Sequence, residues 1–213
     1  MNDPSKQSPQ YDAMALRWAL PSALMGGTLA MRAAGSRFLP RHPAENAAIY
    51  AERARRAVLR NYFRRTVQKL TGRVFAEPLI VGEETPDDLV ALFRDIDTLG
   101  RGLNAFARDW FEDALVHGLS HVLVDFPAAI EGDSLAEERA LGARPYAVHI
   151  RAEQLIAAQL AKGEGRDRLQ QIRIRESICR YDGFEEVSEE QIRVLEPDHW
   201  RLYRQDKAGK WIE

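Results

Sequence analysis

Few residues of this 213-residue chain have the types and spacing that catalysis requires. His117 and His121 are four residues apart, but Gly118 separates them and no third ligand with metal-site spacing lies nearby. Asp125 follows a short apolar run, where hydrolases and nucleases often place a carboxylate, yet partner acids at matching offsets are missing. The sequence therefore predicts that Asp125 caps the turn before Pro127 and is not a catalytic acid.

The candidate nucleophiles and phosphate-binding loops are equally incomplete. Cys179 has no histidine at a suggestive spacing and falls within a predicted strand, and Ser120 does not lie in a G-x-S-x-G turn. Gly26, Gly27 and Thr28 lack the G-x-x-x-x-G-K-[ST] pattern, which indicates a turn and not a phosphate loop. We therefore expect no catalytic activity, no metal site and no cofactor.

The stretch 103–127 is predicted to form the centre of the core. Its first part has apolar residues at the helical period, Gly118 ends that helix, and 121–126 reads as a buried strand before Pro127. The residues that this pattern assigns to the core are Phe106, Trp110, Phe111, Leu115, Val122 and Val124.

Charge is strongly segregated along the chain, although the net charge is only −2. Residues 17–73 carry 12 Arg and Lys against Glu45 and Glu52, a balance of +10, whereas residues 74–140 carry 4 Arg against 15 acids, a balance of −11. Such asymmetry indicates either pairing within the chain or a charged partner surface.

Residues 44–74 are predicted to form one long amphipathic helix, with Pro43 at its start and Gly72 near its end. Two interpretations of its basic residues stay open: a solvated face with snorkelling stems, or a surface that binds phosphates or carboxylates through guanidinium groups. The candidate subunit-interface or DNA-facing residues are Arg53, Arg56, Arg60, Arg64, Arg65, Lys69 and Arg73.

The remaining patterns complete an α+β prediction, in which long amphipathic helices pack on a mixed or antiparallel sheet. Residues 146–150 alternate like a strand, 152–161 read as a short helix, and the last third alternates with period two around a hairpin turn at Asp182-Gly183. Residues 1–43 are predicted to be an N-terminal arm, disordered over 1–10, and residues 44–213 to be one α+β domain.

A single cysteine excludes an internal disulfide framework and is typical of a reducing compartment. The N-terminal residues have no signal-peptide core, and no apolar run approaches the roughly 20 residues of a membrane helix. No membrane partner is expected.

The order of several short motifs resembles a family of tailed-bacteriophage portal, or head–tail connector, proteins. The resemblance covers about residues 20–213 and rests on Gly27-Thr28, Met31-Arg32, Phe38-Leu39-Pro40, Pro43-x-Glu45, Tyr50-x-x-Arg53, Asn61, Thr66-Val67, Leu70-x-Gly72-x-Val74-Phe75, Pro78, Gly100, Leu123-Val-Asp-x-Pro127, Arg144-Pro145-Tyr146, Glu176 and Ile192-Arg-Val-Leu195.

The resemblance implies a subunit of a ring, usually of 12 copies, at one vertex of the virion capsid. Such a ring is the conduit for packaging and ejecting double-stranded DNA, contacts the major capsid protein, and docks the terminase large subunit and later the head–tail adaptors. This chain would supply the α/β wing and the N-terminal arm. The family's stem and clip helices are expected beyond Glu213, and Gln159 stands where the family usually has an aromatic residue.

A ring requires that one surface of each subunit meets a different surface of the next. We expect Arg53, Arg56, Arg60 and Arg64 to meet acidic groups of a neighbouring subunit, with Asp109, Glu112 and Asp113 as the candidates. Alternatives are intrachain pairing, a DNA-facing role in the channel, and a non-catalytic nucleic-acid-binding module that uses residues 53–73. A metal-dependent nuclease is the most distant alternative.

Overall fold

The computed structural model describes residues 3–127, 142–163, 165–206 and 208–213. The chain divides into two compact units: unit 1 comprises residues 1–18 and 152–213, and unit 2 comprises residues 19–151. Helices dominate the first half of the chain and two antiparallel sheets the second, so the α+β prediction is confirmed.

The helices are α1 (Pro9–Ala33), α2 (Ala47–Arg56), α3 (Tyr62–Val74), α4 (Asp87–Leu92) and α5 (Leu103–His117), with a short 3-10 turn at Gly35–Arg37. The strands are β1 (His121–Asp125), β2 (Tyr146–Ile150), β3 (Leu155–Ala161), β4 (Arg168–Asp182), β5 (Glu185–Leu195), β6 (Trp200–Gln205) and β7 (Trp211–Ile212). Strands β1 and β2 form one sheet, and β3–β7 form a meander in chain order.

Unit 1 is built on the meander, whose strands all pair antiparallel. The period-two prediction for this part is confirmed, as is the hairpin turn, where Gly183 takes the left-handed conformation with φ 63°. The predicted helix over 152–161 is wrong, because 155–161 pair with β4 as a strand. Its bulged register brings the fully buried Ile156 into the core with Ile192 and Val194.

The N-terminal segment is part of this unit, so the prediction of a disordered tip is wrong for residues 3–10. Pro4 is buried, and the backbone N–H of Ser8 donates to the Ile156 carbonyl at 3.0 Å. Tyr11 packs on the Ile156 cluster and donates its hydroxyl to the Glu153 carbonyl at 2.9 Å. The polar, proline-containing composition of this segment gives no local sign that it pairs with the edge of the sheet.

Unit 2 has its core between α5, β2 and the loop before α5. Ile96, Phe106 and Ala147 are buried together, and the Ala147 N–H donates to the Ile96 carbonyl at 2.8 Å. Helix α5 ends at Gly118, which is left-handed with φ 82°, and β1 follows; both were predicted.

The single long helix predicted over 44–74 is wrong, because the chain leaves the helical conformation at Ala57, whose ψ is 132°. The Leu59 N–H then donates to the Thr28 hydroxyl oxygen at 3.2 Å, and the Asn61 side chain caps α3 by accepting from the Arg64 N–H at 2.9 Å. Two helices with separate caps therefore replace the one predicted from periodicity.

The segment predicted as an arm of short stretches contains the 25-residue α1. The turn predicted at Gly26-Gly27 is present as a break inside this helix, where Gly27 has φ 74° and ψ −153°. None of the described helices is both long and apolar enough to span a membrane.

The core prediction is confirmed only in part. Phe106 is 3% exposed, and Phe111 is half-buried with its ring edge-to-face against Phe75, the centroids 5.7 Å apart. The placement of the other four is wrong, with exposures of 40% for Trp110, 37% for Leu115, 41% for Val122 and 71% for Val124. Exposure alternates along β1: His121, Leu123 and Asp125 are half-buried, whereas Val122 and Val124 are exposed, so the inward face is the Leu123 face and not the valine face.

Candidate functional site

The most connected polar cluster of unit 2 surrounds the Asp113 carboxylate on α5, which is only 11% exposed. His117, one turn later on the same helix, approaches with Nδ1 at 2.8 Å from Oδ1. The Ser120 hydroxyl donates to Oδ2 at 2.9 Å, and His149 Nε2 of β2 lies 3.4 Å from the same oxygen. One carboxylate therefore connects the helix, the turn after it and the sheet.

Two hydrogen-bonded chains of side chains extend from this carboxylate. In the first, His117 Nε2 lies 3.0 Å from the Ser22 hydroxyl of α1, which places a serine, a histidine and an aspartate in one hydrogen-bonded chain. In the second, His149 Nε2 lies 2.8 Å from the Ser120 hydroxyl, and its ring packs edge-to-face on Phe106. Because Ser120 donates to the carboxylate, His149 Nε2 carries the proton that Ser120 accepts.

The electrostatics of the cluster favour the ionised carboxylate. Burial raises the pKa of Asp113, but hydrogen bonds from His117, His149 and Ser120 outweigh it and hold that pKa well below the ordinary 3.8. Burial also lowers the pKa of the neighbouring His121 below 6.5, although the Asp113 charge opposes this shift.

The order serine, histidine, aspartate is the order of an acyl-transfer relay, but the same groups also satisfy one another in a structural network. A hydrolase needs a cavity in which a substrate reaches the nucleophile. Two cavities among the described residues of unit 2, around Met31 and Leu39 and around Phe93 and Leu103, are lined by other residues. Because the Asp113 carboxylate is only 11% exposed and the groups of the cluster satisfy one another, the geometry favours a structural network that links α1, α5 and β2.

Sequence reasoning did not find this cluster. The i, i+4 spacing of Asp113 and His117 on a predicted helix was the available signal, since it places both side chains on one face. Nothing local indicates that Ser22 and His149, which are 127 residues apart, meet the same helix. Within the described ranges, no group of three potential ligands that includes His117 or His121 is suitably placed to hold a metal ion.

The basic residues predicted as one surface separate into two groups. Arg53 forms a two-pronged ion pair with Glu45, at 2.8 and 2.9 Å, and Arg56 lies 2.5 Å from Glu52. These two arginines are therefore engaged locally, in agreement with the intrachain pairing left open above, although their partners are the two acids of the basic segment itself.

The second group is exposed and makes no ion pair with any described residue; it comprises Arg60, Arg64, Arg65, Lys69 and Arg73. Three of them share one face of α3, because Arg65, Lys69 and Arg73 follow at intervals of four residues, and Tyr62 begins the same row. We call Tyr62, Arg65, Lys69 and Arg73 the α3 cationic face.

The opposite side of α3 explains why this face is exposed. Val67 and Thr71 are buried at 5% and 0% exposure, with Phe63 and Phe75 half-buried in the same stripe, and the helix packs against α5. The helix therefore turns its apolar stripe inward and its cations outward.

The three acids predicted to meet a neighbour's arginines also differ. Asp109 is exposed and pairs with Arg101 at 3.1 Å, and Glu112 is half-buried. Asp113 is occupied by its own cluster, so its proposed role at an interface is wrong: a nearly buried carboxylate with three partners is not available to another subunit.

Two further sequence candidates, Cys179 and Asp125, have local partners. Cys179 is exposed, and a hydrogen bond with Glu186 together with the Glu186 charge raises the pKa of its thiol, which disfavours the nucleophilic thiolate. Asp125 accepts from the Phe126 N–H at 2.9 Å, which agrees with the predicted role in the turn before Pro127, and from the Tyr146 hydroxyl of the paired strand β2 at 3.2 Å.

The chain matches no model of a known protein family, and no curated protein is similar to it in sequence. The resemblance to portal proteins therefore rests on the motifs of this sequence alone.

Proposed function

We propose that this chain is a subunit of a homo-oligomeric ring of the bacteriophage portal type, with the α3 cationic face at the contact between neighbouring copies. The order of the motifs between residues 20 and 213 supports the class of protein. The surface of α3 supports the self-association.

The observation that carries the proposal is the mixed character of the exposed side of α3. Leu70 and Val74, exposed at 45% and 57%, flank the row of Arg65, Lys69 and Arg73. A surface that only held DNA phosphates would need cations but not exposed aliphatic side chains. An interface between proteins combines apolar contact area with arginines and aromatic residues, and Tyr62 is exposed at 67% in the same row.

Complementary charge is present elsewhere in unit 2. Glu83, Glu84, Asp87 and Asp88 lie at and before the start of α4, all exposed and without an ion pair to a described residue. They replace Asp113 among the acids that a neighbour's α3 would meet. One basic and one acidic surface on the same subunit provide the head-to-tail contact from which closed rings are built.

The partners follow from the proposed class. A portal ring meets the major capsid protein, the terminase large subunit, head–tail adaptors and the double-stranded DNA that passes through it. Packaging energy would come from the terminase ATPase, because this sequence has no phosphate-binding loop. We therefore retain the prediction that the chain has no enzymatic activity and acts in the virion.

The test is charge reversal on α3 in the protein expressed from its complete gene. Arg65→Glu with Lys69→Glu should abolish ring formation, measured by particle mass and electron microscopy. The matched control is Arg166→Glu with Arg168→Glu, two exposed arginines of unit 1, which should leave the rings intact. Normal rings from the α3 variant would contradict the proposed contact.

A second function, a non-catalytic nucleic-acid-binding module, is favoured by the regular spacing of Arg65, Lys69 and Arg73. Each phosphate neutralised by such a residue adds affinity that falls steeply with salt. If the α3 variant forms normal rings or stays a normal monomer but loses salt-dependent DNA binding, this second function replaces the first.

A further inference from the structure

Unit 1 contains a polar cavity of about 480 Å³ between the N-terminal segment and one face of the meander. Its lining includes Lys6, Gln159, Gln171, Arg173, Arg201 and Tyr203. The volume falls in the range of small-molecule sites, roughly 300–1,000 Å³. None of these residues belongs to the α3 cationic face or to the Asp113 cluster.

The sheet register places the two arginines side by side. Arg173 of β4 pairs with Val194 of β5, and Val194 pairs with Arg201 of β6. The three residues therefore form a row on one face of the sheet. Neighbouring strands are roughly 4.8 Å apart, so the backbones of the two arginines are separated by roughly 10 Å. Long side chains at this separation can contact one ligand together.

In each guanidinium group one Nη atom donates a hydrogen bond, whereas the Nε atom has no acceptor among the described residues. Arg173 Nη1 donates to the Pro4 carbonyl at 3.3 Å, and Arg201 Nη2 donates to the Glu196 carboxylate at 2.6 Å. The Nε atoms of both arginines are shielded from solvent and find no acceptor among the described residues. Buried polar groups are almost always hydrogen-bonded, so these two unmatched donors show that the two arginines that line the cavity lie in surroundings short of acceptors.

The acids nearby do not supply an acceptor for these Nε atoms. Asp3 also lines the cavity, but its Oδ1 accepts from the Ser5 N–H at 2.9 Å and from the Ser5 hydroxyl at 2.7 Å. Glu196 is shared among Arg201, Gln171 and His199. Burial lowers the pKa of Arg173, with the Asp3 charge opposing, which agrees with a guanidinium short of counter-charge.

We propose that this cavity binds a small phosphate-bearing molecule whose oxygens accept hydrogen bonds from Arg173 and Arg201. The planar guanidinium presents its donors as a fork that matches phosphate oxygens. Lys6 adds a third positive charge, the Gln159 amide adds a neutral donor, and Tyr203 also lines the cavity. The cavity is wider than one phosphate group requires, so the ligand carries more than inorganic phosphate alone.

The experiment is calorimetric titration of pyrophosphate into the whole purified chain at constant ionic strength. We expect saturable binding that Arg173→Gln or Arg201→Gln weakens roughly tenfold or more, as for loss of a hydrogen bond to a charged group. Asp3→Asn should strengthen binding, because it removes the acidic side chain found among the described lining residues. The control, Arg168→Gln, changes an exposed arginine of the same strand outside the cavity and should bind normally.

If either arginine variant is misfolded by circular dichroism, Lys6→Gln takes its place, since Lys6 is exposed, and weaker binding is again expected. The proposal is overturned if pyrophosphate gives no saturable signal, or if the arginine variants bind as the wild type does. It is also overturned if sodium chloride at matched ionic strength reproduces the effect, or if a DNA oligonucleotide binds here and pyrophosphate does not.

Discussion

The Asp113 cluster and the α3 cationic face are both charged regions of unit 2, but the charge of the first is nearly buried and hydrogen-bonded, whereas the charges of the second are exposed. The Asp113 carboxylate is 11% exposed and has His117, His149 and Ser120 around it. The cations of α3 are exposed and have no ion-pair partner in the described chain. The hydrogen bonds of the Asp113 cluster hold the elements of unit 2 together, whereas the charges of the α3 cationic face remain exposed to solvent.

From this contrast we expect the Asp113 cluster to contribute mainly to stability, and we propose that the α3 cationic face contacts another molecule. Removing a partner from a satisfied buried network strands the remaining polar groups, which costs stability. Removing an exposed, unpaired cation leaves nothing stranded, so its loss should appear only when a partner is present. Four predictions test the contrast, in order of decreasing effect.

The largest effect is expected in the apolar core beside the cluster. Phe106→Ala should lower the free energy of unfolding by about 3–5 kcal/mol, because a ring only 3% exposed leaves a cavity. Trp110→Ala should cost about 1–2 kcal/mol, because that side chain is already 40% exposed. Urea unfolding measures both values, and equal losses would contradict the burial assigned to α5.

Asp113→Ala should lower the free energy of unfolding by about 3 kcal/mol, because two histidines and Ser120 lose a nearly buried acceptor. The matched change Asp109→Ala, on the same helix, removes an exposed partner of Arg101 and should cost less than about 1 kcal/mol. Similar denaturation midpoints for the two variants would show that the cluster is not structural.

Lowering the pH should lower the free energy of unfolding of unit 2 in two steps. The pKa of His121 is lower in the folded chain than its ordinary 6.5, so the unfolded chain binds more protons just below that pH and stability falls as pH falls. The pKa of Asp113 is likewise lowered, so a further loss follows below pH 3.8. His121→Gln should remove the first step in melting curves recorded at several pH values; an unchanged first step would assign it to another group.

The smallest effect on stability is expected at the α3 cationic face. Arg65→Gln with Lys69→Gln should change the free energy of unfolding of the unassembled chain by no more than about 0.5 kcal/mol per residue, because neither side chain has an ion-pair partner among the described residues. Thermal melting at low protein concentration measures this. A larger destabilisation would show that these cations stabilise their own chain and would break the contrast with Asp113.

The sequence predicted the meander well, because alternation and the Asp182-Gly183 turn are local signals that sheet pairing reinforces. It also predicted α5 and its end at Gly118 for the same reason. The helix predicted over 152–161 failed because residues of this composition form either structure, and the choice depends on pairing with β4.

The candidate sites depended on contacts that no local pattern carries. Asp113 looked like a surface acid because His149 of β2, which lies against its carboxylate, and Ser22 of α1, which contacts its partner His117, are both distant in sequence. The sequence prediction placed the wrong face of β1, that of Val122 and Val124, in the core. Because Val122, Leu123 and Val124 are all apolar, periodicity could not distinguish the buried face from the exposed one. The sequence located the basic residues, but only the three-dimensional structure could separate Arg53, which pairs with Glu45, from Arg65, which has no ion pair with a described residue.

The central claim is that the α3 cationic face joins copies of this protein into a ring. Native mass measurement of the protein from its complete gene, wild type against Arg65→Glu with Lys69→Glu, tests it most directly. The account predicts closed rings of one fixed stoichiometry for the wild type and folded monomers for the variant. Rings of unchanged mass from the variant, or a wild type that stays monomeric at every concentration, would contradict it.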